Sequence, residues 1–165
     1  MMLELHNVTI GQLIKSLSYT VKDGMLATIS GSEASGKTTL LRAIMGFIPI
    51  DGGHISIDGE LLTPQSAPYF RRSMAYVPQH LLLPDDFDGI EGLERWPDLT
   101  AEERYLQLLG KAVNAHKPLL IVDAPSQVLS DTTAEMVDNL LRDAVQHGST
   151  VLAVNSRILQ NQIIL

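Results

Sequence analysis

The segment Gly31-Ser32-Glu33-Ala34-Ser35-Gly36-Lys37-Thr38 constrains this chain more than any other. It fits the pattern G-x-x-x-x-G-K-[ST], a loop whose successive backbone N–H groups curl around the phosphates of a nucleotide. In such a loop the ammonium of Lys37 reaches the outer phosphates, and the hydroxyl of Thr38 takes one position on Mg2+. The pattern carries weight only where a strand enters the loop and a helix leaves it. Residues 25–30, Met-Leu-Ala-Thr-Ile-Ser, are short, apolar and partly β-branched, as a buried strand requires. Residues 37–46 carry apolar side chains at helical spacing and stop at Gly46, which predicts a helix with its positive end on the anion. A chance glycine-rich turn would have neither flank. Ala34 stands where many such loops have glycine, and its methyl group crowds the approach to phosphate.

The remaining elements follow in an order that defines the fold class. Residues 3–10 alternate in strand fashion, residues 13–21 form a second strand, and Lys22-Asp23-Gly24 turns the chain into the strand before the loop. Residues 49–53 read as a turn, 54–57 as a short strand and Asp58-Gly59 as another turn, so a small antiparallel sheet is expected. Residues 73–77 form a strand closed by Pro78, with Gln79 just beyond. Pro84, Asp85, Asp86, Asp88, Gly89, Gly92 and Pro97 break the stretch 80–99, which predicts loop with little helix. Thr100-x-x-Glu103 is a capping box opening a helix to about His116, with Leu106, Leu109 and Val113 on one face. Residues 119–122 form an apolar strand ending in Asp123. Thr132-x-x-Glu135 reads as a second capping box, opening a helix that stops at His147-Gly148, and residues 150–154 form the last clear strand. Strands and helices in this alternation imply an α/β domain of the P-loop NTPase type. Its mostly parallel sheet is covered by helices, with a small antiparallel part in the N-terminal half.

Composition narrows the partners. With 165 residues, the chain suits one domain over 1–165. A formal charge of −7 argues against duplex nucleic acid, although a phosphate loop still supplies a local positive field. Cysteine is absent, which excludes disulfides and fits a reducing interior, and the five histidines show no metal-ligand spacing. No apolar run is long enough to span a bilayer, and the N-terminus lacks a signal-peptide pattern. The expectation is a soluble cytoplasmic protein that reaches a membrane only through a partner. The run Asp85-Asp86-x-Asp88 reads as a solvated loop, and Trp96 beside Pro97 either covers the core or marks a partner contact.

With these pieces in order, the chain resembles the ATP-binding cassette (ABC) family, the nucleotide-binding subunits of ABC transporters, over most of its length. Residues 36–41, Gly-Lys-Thr-Thr-Leu-Leu, look like the family's phosphate loop and first helical turn. Residues 49–59, ending Ile-Asp-Gly, are similar to its post-helix hairpin, and Tyr76-Val-Pro-Gln79 is similar to its Q-loop. Residues 119–123 look like its second nucleotide motif, in which the aspartate holds the metal through water. The resemblance implies ATP and Mg2+ as ligands. It assigns nucleotide contact to Gly31, Ser32, Glu33, Ala34, Ser35, Gly36, Lys37, Thr38, Thr39 and Gln79, and metal contact to Thr38, Gln79 and Asp123. It also implies a membrane permease subunit, a second nucleotide-binding subunit or a second copy of this chain as partner.

The family pattern then fails at the places where hydrolysis is done. The general base that follows the metal aspartate is replaced by Ala124, and the histidine that contacts the γ-phosphate aligns with Ser156. Where the signature glycines belong, the chain has Leu99-Thr100-Ala101-Glu102-Glu103, whose carboxylates would repel a partner's triphosphate. The region of the adenine-stacking aromatic offers Ile10 and Gly11, with Tyr19 inside the second strand, and the helical subdomain is reduced to residues 80–99. No catalytic residue is assigned, and hydrolysis is expected to be weak or absent. Two other functions suit a phosphate loop in a chain of this length. One is a regulatory or interaction module that uses nucleotide as a structural ligand. The other is a small metabolite kinase, which needs an arginine-bearing lid where residues 80–99 contain only Arg95.

Overall fold

A computed structural model describes residues 1–79, 96–124, 129–159 and 161–165. The acidic run 85–88, Arg95 and most of the expected loop 80–99 therefore lie outside the described residues. Two sheets stack on each other. The first is antiparallel, in the order β2-β1-β4-β5, built from β1 (Leu3–Ile10), β2 (Ile14–Val21), β4 (Gly52–Ile57) and β5 (Glu60–Leu61). The second has the order β6-β7-β8-β3-β9, from β3 (Leu26–Ser30), β6 (Met74–Val77), β7 (Leu119–Val122), β8 (Thr150–Val154) and β9 (Gln162–Ile164). All four of its pairings are parallel, so the expected α/β architecture with a small antiparallel part is present.

Period-two alternation sorts the strands of the parallel sheet onto two cores. Leu119, Ile121, Leu152 and Val154 face the antiparallel sheet and helix α1 (Lys37–Ile44), together with Ala27 and Ile29. Leu120, Val122, Val151 and Ala153 face the opposite way, onto helices α3 (Ala101–Asn114) and α4 (Asp131–Gln146). A strand buried on both faces must be apolar throughout, which is why residues 119–122 and 150–154 lack polar alternation. On α3 the buried stripe is Tyr105, Leu109 and Val113; Leu106 lies beside it rather than in it. Trp96 is only 2% exposed and covers the core.

Several local expectations are corrected. Gly52 and Gly53 belong to β4 rather than to a preceding turn, because β4 follows β1 across an irregular stretch of that strand. Helix α2 (Ala67–Arg71) and β9, the latter on the edge beside β3, were not expected. The second capping box does not form. The N-cap of α4 is Ser130, whose hydroxyl accepts from the Thr133 N–H at 3.3 Å, so Thr132 is already helical. The third helical position is then Thr133, which has no carboxylate to return the bond. Glu102 of α3 supplies one instead. Its carboxylate accepts from the Ser130 N–H at 2.9 Å, from the Ser130 hydroxyl at 2.7 Å and from the Thr133 hydroxyl. Glu103 completes the Thr100 capping box as expected, so both carboxylates serve helix N-termini.

The hydrogen bonds from Thr133 and Ser130 hold the Glu102 carboxyl below the ordinary glutamate range. A carboxylate whose pKa is depressed on folding stabilises the fold above its unfolded pKa, and loses that contribution as pH falls through the folded one. Glu102→Gln should therefore melt below the wild type at pH 7, with the gap closing as the pH is taken towards 3. A gap that persists unchanged in acid would show that packing, not the charge, makes the connection.

Among the described residues no helix is long and apolar enough to cross a membrane.

Candidate functional site

The cleft forms where β3 hands over to α1. Gly36 is the N-cap of α1 and takes φ +103°, a left-handed conformation that side chains avoid. A Cβ there would also stand 3.2 Å from Cβ of Leu13, at the tip of the β1–β2 hairpin. Ala34 takes φ +59°, so the residue that replaces glycine is held in the left-handed region, at a cost of roughly 1–2 kcal/mol. Lys37 lies across the loop, donating to the carbonyls of Gly31 at 3.0 Å and Ser32 at 2.5 Å. Its charge and the first free N–H groups of α1 face the same space.

The opposite wall comes from the ends of β6, β7 and β8. Asp123 leaves β7 with 1% exposure, and its backbone N–H donates to the Val77 carbonyl at 2.9 Å. The Thr38 hydroxyl donates to its carboxylate at 2.7 Å, so hydroxyl and carboxylate stand together as a hard-cation site requires. Burial pushes the Tyr105 hydroxyl pKa up, and the Asp123 charge adds to the rise. Tyr76 is raised for the same two reasons in the same order, with Arg42 opposing.

The cleft has a volume of about 830 Å³, and Gly31, Glu33 to Thr39, Gln79 and Asp123 line it. It thus brings together every expected site residue except Ser32, whose carbonyl accepts from Lys37. Three lining residues were not anticipated: Leu13, Val154 and Asn155. Asn155 follows an apolar strand as Asp123 does, at the C-terminal edge where open α/β sheets bind ligands, and that was the available signal. Ala124 and Ser156 line an adjoining cavity of about 310 Å³ with Tyr105 and Arg157, and Val154 and Asn155 border both it and the cleft. The Ser156 hydroxyl accepts from the Ile158 N–H at 3.0 Å. Tyr19 is a half-buried member of β2, paired with Leu5. Chemically, the cleft can hold phosphates and a divalent cation. Its carboxylates among the described lining residues are Asp123, engaged by Thr38, and Glu33 within the loop.

Comparison with known proteins agrees with this geometry. The ABC transporter family model matches residues 14–137. The cytochrome c biogenesis ATP-binding export protein CcmA of Bradyrhizobium diazoefficiens is 26% identical, over 90% of this chain and 86% of its own length. The aliphatic sulfonates import ATP-binding protein SsuB 2 of Agrobacterium fabrum is 31% identical, over 87% of this chain. Only 64% of that relative is spanned, and only 35% of the ribose import ATP-binding protein RbsA of a Chelativorans species. Among solved structures, the ATP-binding subunit of an ABC transporter superposes with a TM-score of 0.81 at 17% identity, covering 100% of this chain and 86% of that one. At that identity the superposition speaks for the fold.

Proposed function

The chain belongs to the ABC transporter family, and from that membership we propose that it is an ATP-binding subunit holding Mg-ATP in the cleft between loop 31–38 and Asp123. The observation that carries this reading is the 2.7 Å bond between Thr38 and Asp123, 85 residues apart, beside Lys37. Two elements distant in sequence meet where a triphosphate and its metal would be held. Lys37 and the loop N–H groups bind the phosphates, Thr38 and Asp123 position the metal, and Gln79 reaches the cleft from the end of β6. Hydrolysis is weak or absent, since Ala124 cannot accept a proton and Ser156 faces the neighbouring cavity. Residues 1–165 act as one nucleotide-binding domain in which 80–99 is what remains of the helical subdomain. A membrane permease and a second ATP-binding subunit complete the assembly, which puts this chain at the cytoplasmic face of a membrane.

The test is thermal. A ligand at one hundred times its dissociation constant stabilises the native state by about 2.7 kcal/mol. For a domain of this size that is roughly 5–10 °C in melting temperature. Saturating Mg-ATP should raise the wild-type transition by such an amount and leave Lys37→Ala nearly unmoved. If neither transition moves, the reading fails.

A further inference from the structure

We infer that His116 and His147 form a binding site for a divalent transition-metal ion of the zinc class, which ties the end of α3 to the end of α4. The site is independent of the Mg-ATP reading. Helices α3 and α4 lead into β7 and β8, and those strands run parallel, so both helices end at the sheet edge opposite the cleft. Val113 of α3 packs in one core with Leu141 and Ala144 of α4, which holds the two ends side by side. There the two imidazoles stand with ring centroids 5.2 Å apart and planes inclined by 45°. With zinc–nitrogen bonds of about 2.0–2.1 Å, two imidazoles on one tetrahedral ion have their centroids roughly 5 Å apart.

The backbone prepares both rings. His147 is the C-cap of α4, and its Nδ1 lies 2.9 Å from the Asp143 carbonyl oxygen. A carbonyl only accepts, so Nδ1 carries the proton and Nε2 keeps its lone pair for a metal. Metal-bound histidines are commonly held this way, by a carbonyl on the other ring nitrogen. A carboxylate oxygen of Asp143 lies 3.3 Å from the same Nδ1 and adds negative charge behind the ring. His116 follows the α3 cap at φ +46°, a place where glycine is usual, and its N–H donates to the Val113 carbonyl at 3.0 Å. Each helix end also presents free carbonyls and the negative end of its dipole, which favours a cation.

A second histidine pair among the described residues supplies the contrast. His6 and His54 are stacked, with centroids 4.6 Å apart and planes only 24° from parallel. A bound ion lies in the plane of each ring, and planes so nearly parallel meet too far from both. Among the described residues no three histidine or carboxylate side chains converge on a metal position. Two imidazoles are thus the protein's share at His116 and His147, and water completes the coordination. Imidazole nitrogen selects zinc, nickel or copper over magnesium. The two histidines close different helices, so spacing along the sequence does not reveal them.

The experiment titrates Zn2+ calorimetrically into the whole chain in excess Mg2+, which occupies the oxygen ligands of the cleft. Wild type, His116→Gly, His147→Ala and His54→Ala are compared. Glycine suits the left-handed backbone, so His116→Gly removes an imidazole without endangering the fold. Losing only a group that orients a metal ligand costs about 10–100-fold in affinity, so losing one of two ligands should cost at least about tenfold. Wild type and His54→Ala should bind zinc alike, with His116→Gly and His147→Ala weaker by that factor. Zinc should also raise the melting temperature of the wild type and leave that of His116→Gly unmoved. The inference is overturned if the wild type takes up no zinc, if His116→Gly or His147→Ala binds and responds as the wild type does, or if His54→Ala loses the ion.

Discussion

Purified protein supplied with saturating Mg-ATP is expected to release phosphate no faster than its Lys37→Ala variant. The losses fall on separate groups that would have to act together. The family resemblance aligns Ala124 with a general base, whose absence typically costs roughly 10²–10⁴ in rate. Ser156 is shorter than a histidine and lines the neighbouring cavity instead of the cleft. At the start of α3, Glu103 bonds the Thr100 N–H and Glu102 bonds Ser130 and Thr133; the family resemblance places these two carboxylates where the signature would meet a partner's nucleotide. Pairing with a second copy leaves each site without base, histidine and signature glycines. Pairing with an intact partner leaves one site without its base and the other facing Glu102 and Glu103. Groups that work as a unit are strongly non-additive. Neither Ala124→Glu nor Ala124→Glu with Ser156→His should restore turnover, and steady-state phosphate release checks all four proteins. Wild-type turnover of about 1 s⁻¹, an ordinary enzyme speed, would place a base elsewhere in the cleft if Lys37→Ala abolished it.

The largest expected loss of stability comes from Gly53→Ala. Gly53 takes φ +74° in β4, opposite the stretch of β1 where the register shifts between His6 and Thr9 and Asn7 itself takes φ +49°. A Cβ at Gly53 would stand 2.2 Å from the His6 carbonyl oxygen and 2.4 Å from that of Asn7, both backbone atoms that cannot rotate away. The left-handed conformation and the displaced strand together should cost about 3–5 kcal/mol, or roughly 10 °C in melting temperature. Gly148→Ala is the control. Its φ is +88° but a Cβ there meets nothing within 4 Å, so only the conformational cost of about 1 kcal/mol remains. Equal losses at the two positions would show that the close approach at β1 contributes nothing. Because the β1–β2 hairpin places Leu13 against the loop at Gly36, a disturbed β1 should also weaken the cleft.

What the sequence made legible follows from the length over which each signal runs. The strands 3–10, 119–122 and 150–154 were read with the bounds the fold gives them, because apolar content and alternation extend over whole elements. The loop and Asp123 stood out because spacing and flanks are local, and both line one cleft. Helix α2 has five residues, too few for a helical period, and β9 has three, held by its pairing with β3 rather than by composition. Thr132-x-x-Glu135 was misread because the carboxylate that completes the α4 cap comes from Glu102, 28 residues before Ser130. A capping box read along one chain cannot show a partner from another helix. The place of Asn155 was signalled only by its following an apolar strand. Alignment to the family pointed to Ser156, whereas the left-handed Asn155 after β8 borders both the cleft and the adjoining cavity, and Ser156 borders the latter.

The central claim is that loop 31–38 and Asp123 form one Mg-nucleotide site, and ATP affinity with and without magnesium tests it most directly. Titrations of wild type and Lys37→Ala, each with Mg2+ and with a chelator, would separate the phosphate and metal contributions. Wild type should bind ATP saturably with Mg2+ and markedly more weakly without it. Lys37→Ala should bind weakly in both conditions. ATP affinity that is indifferent both to magnesium and to Lys37 would contradict the account, since neither the ammonium nor the Thr38–Asp123 pair would then be holding the nucleotide.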